Sequence, residues 1–271
     1  METGRGSAPL SWGFRSLDRR MKGLFPGQLT LLASWPGIGR CALALGVAEE
    51  LVFGHKVPVA MLSLDVTYQQ LLVRMACIHA KIDFLRLYLK GQEAAQEKFA
   101  KALGQVKTSY LRIMATPRIA LGELQMEARR LRSRHDIRLF IIDHLQLVSP
   151  DVLQAGLGRQ EQLIGIAAGI RKLAQELDVA VLLLSQLGEA ADAGDGAMPK
   201  FSTVRETKAF EKMADVVCHL APNEAYEEQP KVRLTDSVSA GISIVKNGKG
   251  ATGDVRLRFL PRYARFEDVS R

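Results

Sequence analysis

Cysteine is scarce in this chain: Cys41, Cys77 and Cys218 are the only three in 271 residues, and they fall at wide spacings. An odd count with no C-x-x-C pair excludes a disulfide framework or a zinc knuckle as the organising feature. The five histidines never place two on one helix turn, so no metal cage of protein side chains is expected. No apolar run nears the roughly 18 residues that a membrane-spanning helix needs. The longest, Val179–Leu184, has strand length, as does Leu139–Ile142. The opening stretch Met1–Pro9 lacks the continuous apolar segment of a secretory leader. A soluble, cytoplasmic protein is the expectation.

What is present suits a folded domain. Apolar residues make up 47% and charged residues 24%, enough to build a sizeable core and to exclude disorder of the whole chain. The formal net charge of +8 is compatible with a polyanionic partner, although a basic surface also serves solubility alone. Residues 1–13 are small, polar and aperiodic, and read as a flexible lead. Beyond them short apolar strands alternate with helical patterns. Strands are expected at Gln28–Ala33, Pro58–Leu64, Leu111–Ala115, Leu139–Ile142, Val179–Ser185, Ala240–Val245 and Asp254–Phe259. Helices are expected from Arg40 to about Gly54, at Thr67–His79, through Phe84–Lys107, at Leu121–His135 and at Gln160–Leu177. The Gly-, Ala- and Asp-rich stretch Glu189–Thr203 reads as a mobile loop. Continuous apolar strands separated by helices predict an α/β fold, with a mainly parallel sheet covered on both faces. Such sheets bind ligands in the crevice beyond the strand C-termini.

One strand end carries chemistry. Ser34-Trp35-Pro36-Gly37-Ile38-Gly39-Arg40-Cys41 lies between an expected strand and an expected helix, where a G-x-x-x-x-G-K-[ST] phosphate loop would sit. Backbone N–H groups of such a loop, together with the helix N-terminus, cradle phosphate oxygens. Ser34, Arg40 and Cys41 occupy the first Gly, the Lys and the Ser/Thr positions. Arg40 keeps the positive charge in a bulkier, planar form. Cys41 replaces the hydroxyl that would support magnesium, a hard cation for which a thiol is a poor ligand. A plain Gly-Pro turn opening a helix accounts for the same spacing.

Two further segments carry a resemblance. Leu139-Phe140-Ile141-Ile142-Asp143-His144-Leu145-Gln146-Leu147 looks like the Walker B strand of DnaB-type replicative helicases, and Val181–Leu187 resembles their next strand, which ends in Ser-Gln-Leu. Gly13-Phe14, Leu17-Asp18, Gly23-Leu24, Pro26-Gly27, Arg205-Glu206, Glu211–Asp215, Lys246 and Gly253–Leu257 follow that family's order over residues 14 to about 268. The resemblance implies a RecA-like P-loop NTPase motor domain over residues 14–271. The family is an ATP-dependent 5′-to-3′ DNA helicase of replication, working as a hexameric ring with nucleotide between neighbouring subunits. It implies ATP, or another nucleoside triphosphate, held by Ser34, Trp35, Pro36, Gly37, Ile38, Gly39, Arg40 and Cys41. Asp143 would be the carboxylate that orients magnesium. Asp65 would stand at the catalytic glutamate position, shorter than glutamate by about 1.5 Å. Gln186 would sense the γ-phosphate. Arg205, Glu206 and Lys208 would contact single-stranded DNA, with Lys208 where the family has glycine. Lys246 and Lys249 would form an inter-subunit finger, with Gly248 in the arginine position. Trp35 would stack on a base or ribose, or pack against the following helix. The basic helix Leu121–His135 would either cover the sheet or touch DNA.

Four positions needed for turnover, Arg40, Cys41, Asp65 and Gly248, depart together from the catalytic pattern. An arginine finger alone contributes about 10³–10⁵ in rate in related enzymes. Weak hydrolysis is therefore expected, with magnesium left open by Cys41. The family's N-terminal helical domain and linker helix, which packs on the neighbouring subunit, are not expected here, so the resemblance leaves assembly open between a homo-hexamer and co-assembly with another helicase subunit. The alternative is a catalytically inactive helicase-like module that regulates or joins a true helicase ring. A recombinase-like filament former shares the core but is disfavoured by the Asp-His-Leu-Gln-Leu and Ser-Gln-Leu segments.

Overall fold

The structure, a computed structural model, describes residues 8–89, 91–150, 156–187, 212–222 and 237–269. Its elements in chain order are α1 (Arg15–Met21), β1 (Leu29–Ser34), α2 (Arg40–Glu49), β2 (Val59–Ser63), α3 (Tyr68–Ala80), α4 (Glu93–Thr108), β3 (Leu111–Ala115), β4 (Ile119–Ala120), α5 (Leu121–His135), β5 (Leu139–Asp143), β6 (Val148–Ser149), α6 (Arg159–Leu177), β7 (Ala180–Gln186), β8 (Val216–Pro222), β9 (Val238–Asn247), β10 (Gly253–Leu260) and β11 (Arg265–Asp268). A π-helical turn at Glu50–Gly54 extends α2, and single 3-10 turns lie at Phe84–Tyr88, Leu145–Leu147 and Pro261–Tyr263.

The strands β1, β2, β5 and β7 are apolar at nearly every position, and successive side chains on a strand point to opposite faces. Such strands must be covered on both sides. Leu32, Met61, Ile141 and Leu182 accordingly pack with α1, α2, α3 and α4 on one face. Leu31, Leu62, Phe140 and Leu183 pack with α5 and α6 on the other. Among the described residues one sheet has the order β11-β10-β9-β8-β1-β7-β5-β2-β3. From β8 to β3 every pairing is parallel, and β9, β10 and β11 add antiparallel strands at one edge. The result is an α/β fold built on a mainly parallel sheet.

Register decides what meets at the C-terminal edge. Ser34 lies opposite Gln186, and Ser63 lies opposite Asp143. The segments that leave these strands therefore open into one crevice. Helix starts there are set locally. Thr67 caps α3 through a reciprocal capping box with Gln70. Gly39 caps α2 with no side-chain hydrogen bond at all.

The structure corrects several expectations. The lead expected over residues 1–13 is packed at its far end: Leu10 bridges Leu24, and Trp12 is buried in the main core. Helix α1 and strands β8 and β11 are additions to the expected elements, because each owes its form to partners distant in the chain. Strand β8 exists by pairing with β1 and β9. The helical stretch expected over Phe84–Lys107 is a 3-10 turn followed by α4. The loop expected at Glu189–Thr203 lies outside the described residues.

Candidate nucleotide-binding site

The loop after β1 is shaped by two glycines and one buried aromatic. Gly37 and Gly39 have φ of 80° and 97°, a region that side-chain-bearing residues rarely enter. Gly39 is constrained further, because a Cβ there would stand 3.1 Å from Cε2 of Phe266. Phe266 stacks on Phe259 with ring centroids 4.6 Å apart, so the antiparallel edge of the sheet braces the loop from below. Trp35 is buried against Ala33 and Leu187, with Ile38 alongside. It packs within the fold at the ends of β1 and β7, and does so beside the loop rather than on the body of α2. The first N–H groups of α2 emerge from this loop without a side-chain cap, as an anion site requires.

Arg40 and Cys41 open α2 and look across at β5. Arg40 Nη2 lies 3.6 Å from Asp143 Oδ1, with the two side chains only 10% and 3% exposed. That distance exceeds a hydrogen bond, and both Arg40 Nε and Asp143 Oδ1 are buried without a hydrogen-bond partner. Burial lowers the Arg40 pKa below its usual value, opposed chiefly by the Asp143 charge. Burial, reinforced by Asp143, pushes the Cys41 thiol up and keeps it protonated. Cys41 Sγ is 4.0 Å from Arg74 Nη1, which reaches in from α3. His144 is buried beside this pair, 3.8 Å from Asp143 Oδ1, and burial together with the Arg40 charge lowers its pKa.

A triphosphate fits these residues: an uncapped helix N-terminus, two glycines in left-handed conformation and an unsatisfied guanidinium nitrogen converge at one strand end. Magnesium does not. The two protein positions that would support it are a thiol and a carboxylate, and each faces a guanidinium.

The neighbouring strand ends complete the crevice. Ser63 Oγ bonds the backbone of Val66 on both its N–H and its carbonyl, fixing the tight turn that presents Asp65. Asp65 is exposed, and its charge acts on both Arg40 and His144. Gln186 is held by a clamp that sequence reasoning left out of the site. Gln146 donates to Ser185 Oγ at 2.9 Å and to the Gln186 carbonyl at 2.7 Å, and accepts from the Gln186 N–H at 3.2 Å. Arg159 Nη2 donates to the Gln146 carbonyl at 2.6 Å and anchors the turn. Gln146 stood in the Asp-His-Leu-Gln-Leu segment, which was its signal. Arg74 and Phe266 had none, since only folding brings α3 and β11 to the loop.

Other candidates lie elsewhere. Lys246 and Gly248 sit where β9 ends beside the start of β8, at the N-terminal edge of the parallel strands. Lys246 Nζ donates to the Ala214 carbonyl at 2.8 Å, and Lys249 Nζ rests 4.4 Å from the Phe25 ring centroid. Arg205, Glu206 and Lys208 lie outside the described residues. On the basic helix α5, Arg129 pairs with Glu176 of α6, Arg130 with Glu127, and Arg132 with Asp136. These arginines are tied within the chain while Leu121, Leu124, Ala128 and Leu131 cover the sheet. Among the described residues no helix is long and apolar enough to cross a membrane.

Residues 9–268 match the family model described as "DnaB-like helicase C terminal domain". The replicative DNA helicase DnaB of Geobacillus stearothermophilus is 29% identical over 261 residues, covering 96% of this chain and 56% of that protein. The DnaB of Leifsonia xyli is 30% identical over 261 residues, covering 95% of this chain and 55% of that protein. The chain thus spans about half the length of these relatives. Among solved structures, one described as an ATPase domain superposes with a TM-score of 0.85 at 25% identity, covering 99% of this chain and 94% of that one. A DnaB-like replicative helicase, described with its interactions with primase, matches in fold with a TM-score of 0.84 at 24% identity, covering 99% of this chain and 64% of that one. Since that family match runs almost from end to end, this chain belongs to the DnaB-like helicase C-terminal domain family.

Proposed function

We propose that residues 14–271 act as a RecA-like motor-type domain that binds ATP at Ser34–Cys41 and single-stranded DNA through Arg205, Glu206 and Lys208, and that hydrolyses ATP slowly. The observation that carries the nucleotide reading is the convergence of the uncapped α2 N-terminus with the buried, incompletely satisfied Arg40 and Asp143 at one strand end. In this reading the loop amides and Arg40 hold the polyphosphate, Gln186 faces the terminal phosphate, and Asp65 is the group placed to polarise an attacking water.

Slow turnover follows from positioning. Phosphoryl transfer relies almost entirely on geometry and charge, so a base one bond too short and a missing arginine act on the same step. Lys246 and Lys249 project from the opposite end of the sheet. A cation from that turn serves the site of a neighbouring subunit in a head-to-tail contact.

Steady-state phosphate release with saturating single-stranded DNA tests the reading. Turnover well below about 10 s⁻¹, the median for enzymes, is the expected result, and turnover at or above that rate overturns it. The second reading, an inactive module that joins a true helicase ring, is favoured by glycine at position 248 in place of a finger arginine and by the tethering of Lys246. Nucleotide binding with no phosphate release at any DNA concentration selects it.

A further inference from the structure

We propose that this site takes its polyphosphate without a divalent cation, the guanidinium groups of Arg40 and Arg74 standing where the metal would. The inference rests on the nucleotide reading above and concerns which charges hold that nucleotide.

Two protein positions would support magnesium in a loop of this kind: the first hydroxyl of the helix and the carboxylate that ends β5, one strand beyond β7. Here they are Cys41 and Asp143. Arg74 Nη1 approaches Cys41 Sγ at 4.0 Å, and Arg40 Nη2 approaches Asp143 Oδ1 at 3.6 Å. Magnesium demands near-octahedral oxygen ligands at about 2.0–2.1 Å; Cys41 offers none, and the one carboxylate offered, Asp143, already has a guanidinium beside it. The thiol is the wrong donor. A cation at the carboxylate would have to displace a guanidinium that is itself 90% covered or sit beside its positive charge.

Guanidinium is suited to the replacement. It presents five N–H donors in a rigid fork matched to phosphate oxygens. With one edge turned to Asp143, Arg40 still has Nε buried and without a partner, a donor that a phosphate oxygen would satisfy. Asp143 then orients Arg40 instead of a hydrated metal, and is a positioning residue. Two arginines supply two positive charges, where a lysine with magnesium supplies three. The site is thus expected to bind nucleotide more weakly than a metal-assisted loop, and to be indifferent to metal.

Equilibrium dialysis of ATP against the full chain, in magnesium and in EDTA, tests this directly. The expected affinities agree within about threefold. A loss of about tenfold or more in EDTA, well inside the range of coupled ligands, overturns the inference. Because such coupling is reciprocal, Mn²⁺ titrated into the ATP complex and followed by paramagnetic resonance should bind no more tightly than it binds free ATP. Tighter Mn²⁺ binding in the complex also overturns it. The double variant Arg40→Lys, Cys41→Thr, which returns an oxygen ligand and shortens the cation, should gain a metal dependence of about tenfold or more. If that variant folds and stays indifferent, these two positions are not the cause and the assignment fails. If wild type binds no ATP in either buffer, the nucleotide reading itself falls and this inference with it, a result distinct from metal-dependent binding.

Discussion

Gly39 shows how much one backbone position carries. Its φ of 97° costs an L-residue roughly 1–2 kcal/mol, and its missing side chain makes room for the Phe266 ring 3.1 Å from where a Cβ would stand. Gly37 has a similar φ of 80° but nothing within 4 Å of such a Cβ. The pair therefore separates strain from contact. Gly39→Ala is expected to lower the denaturant midpoint by more than Gly37→Ala, whose cost is the conformational term of roughly 1–2 kcal/mol alone. Gly39→Ala should also weaken ATP binding, since moving Phe266 or the loop displaces the α2 amides. Equal midpoints for the two variants would show that the Phe266 contact does not constrain the loop. Both glycines were legible in the sequence as turn formers. The aromatic partner was not, because nothing near Gly39 in the chain announces residue 266.

Strand β8 is the clearest case at the scale of elements. It lies between β1 and β9 with Val217, Cys218 and Leu220 buried on the two faces. It also buries His219, whose pKa is pushed down to about 4 by loss of solvent. The sign follows from linkage. Between the ordinary histidine value of 6.5 and about 4, the unfolded chain binds a proton that the folded chain refuses. Stability contributed by neutral His219 is thus complete above pH 6.5 and declines as pH falls through that window, by about 1.4 kcal/mol per unit. Urea denaturation of wild type and His219→Gln between pH 7 and 4 checks this, read as the difference in midpoint at each pH. The variant should lose less stability over the acid limb, and parallel curves would show that His219 does not titrate there. Sequence periodicity did not mark this strand, because a histidine interrupts its short apolar run. The parallel strands of the core were legible, being apolar at both parities. Helices α3, α5 and α6 were found within a residue or two at each end, as their apolar spacing allows.

Taken whole, the molecule has two chemically distinct ends. The phosphate loop follows Ser34 at the C-terminal end of β1, while Lys246 and Lys249 sit near its beginning, beside β8. The six residues of β1 separate them by about 20 Å. A lysine from the turn cannot reach a nucleotide proposed at its own chain's loop, so any contribution it makes there needs a second subunit in head-to-tail contact. Lys249→Ala should leave ATP affinity unchanged at protein concentrations where the chain is monomeric, and weaken it only where larger species form. Dialysis across a dilution series, alongside light scattering, reads both quantities. An equal loss at every concentration would mean that the turn acts within one chain. The same whole-molecule view explains the bracing of the loop: β10 and β11 fold back so that Phe259 and Phe266 sit beneath Gly39.

The residues by themselves determined the class of fold, the position of the glycine-bearing strand-to-helix loop and the kinship with a helicase family. These depend on local patterns: apolar strands with no polar face, helical spacing, and glycines at a strand-to-helix turn. Tertiary structure alone decided what faces the loop. That Arg40 lies against Asp143, that Arg74 reaches Cys41 from another helix, and that Gln146 pins Gln186 are consequences of strand order and register. The electrostatics of the site arise between segments dozens of residues apart, where burial strengthens the interaction between charges. No reading of a single stretch of chain contains that information.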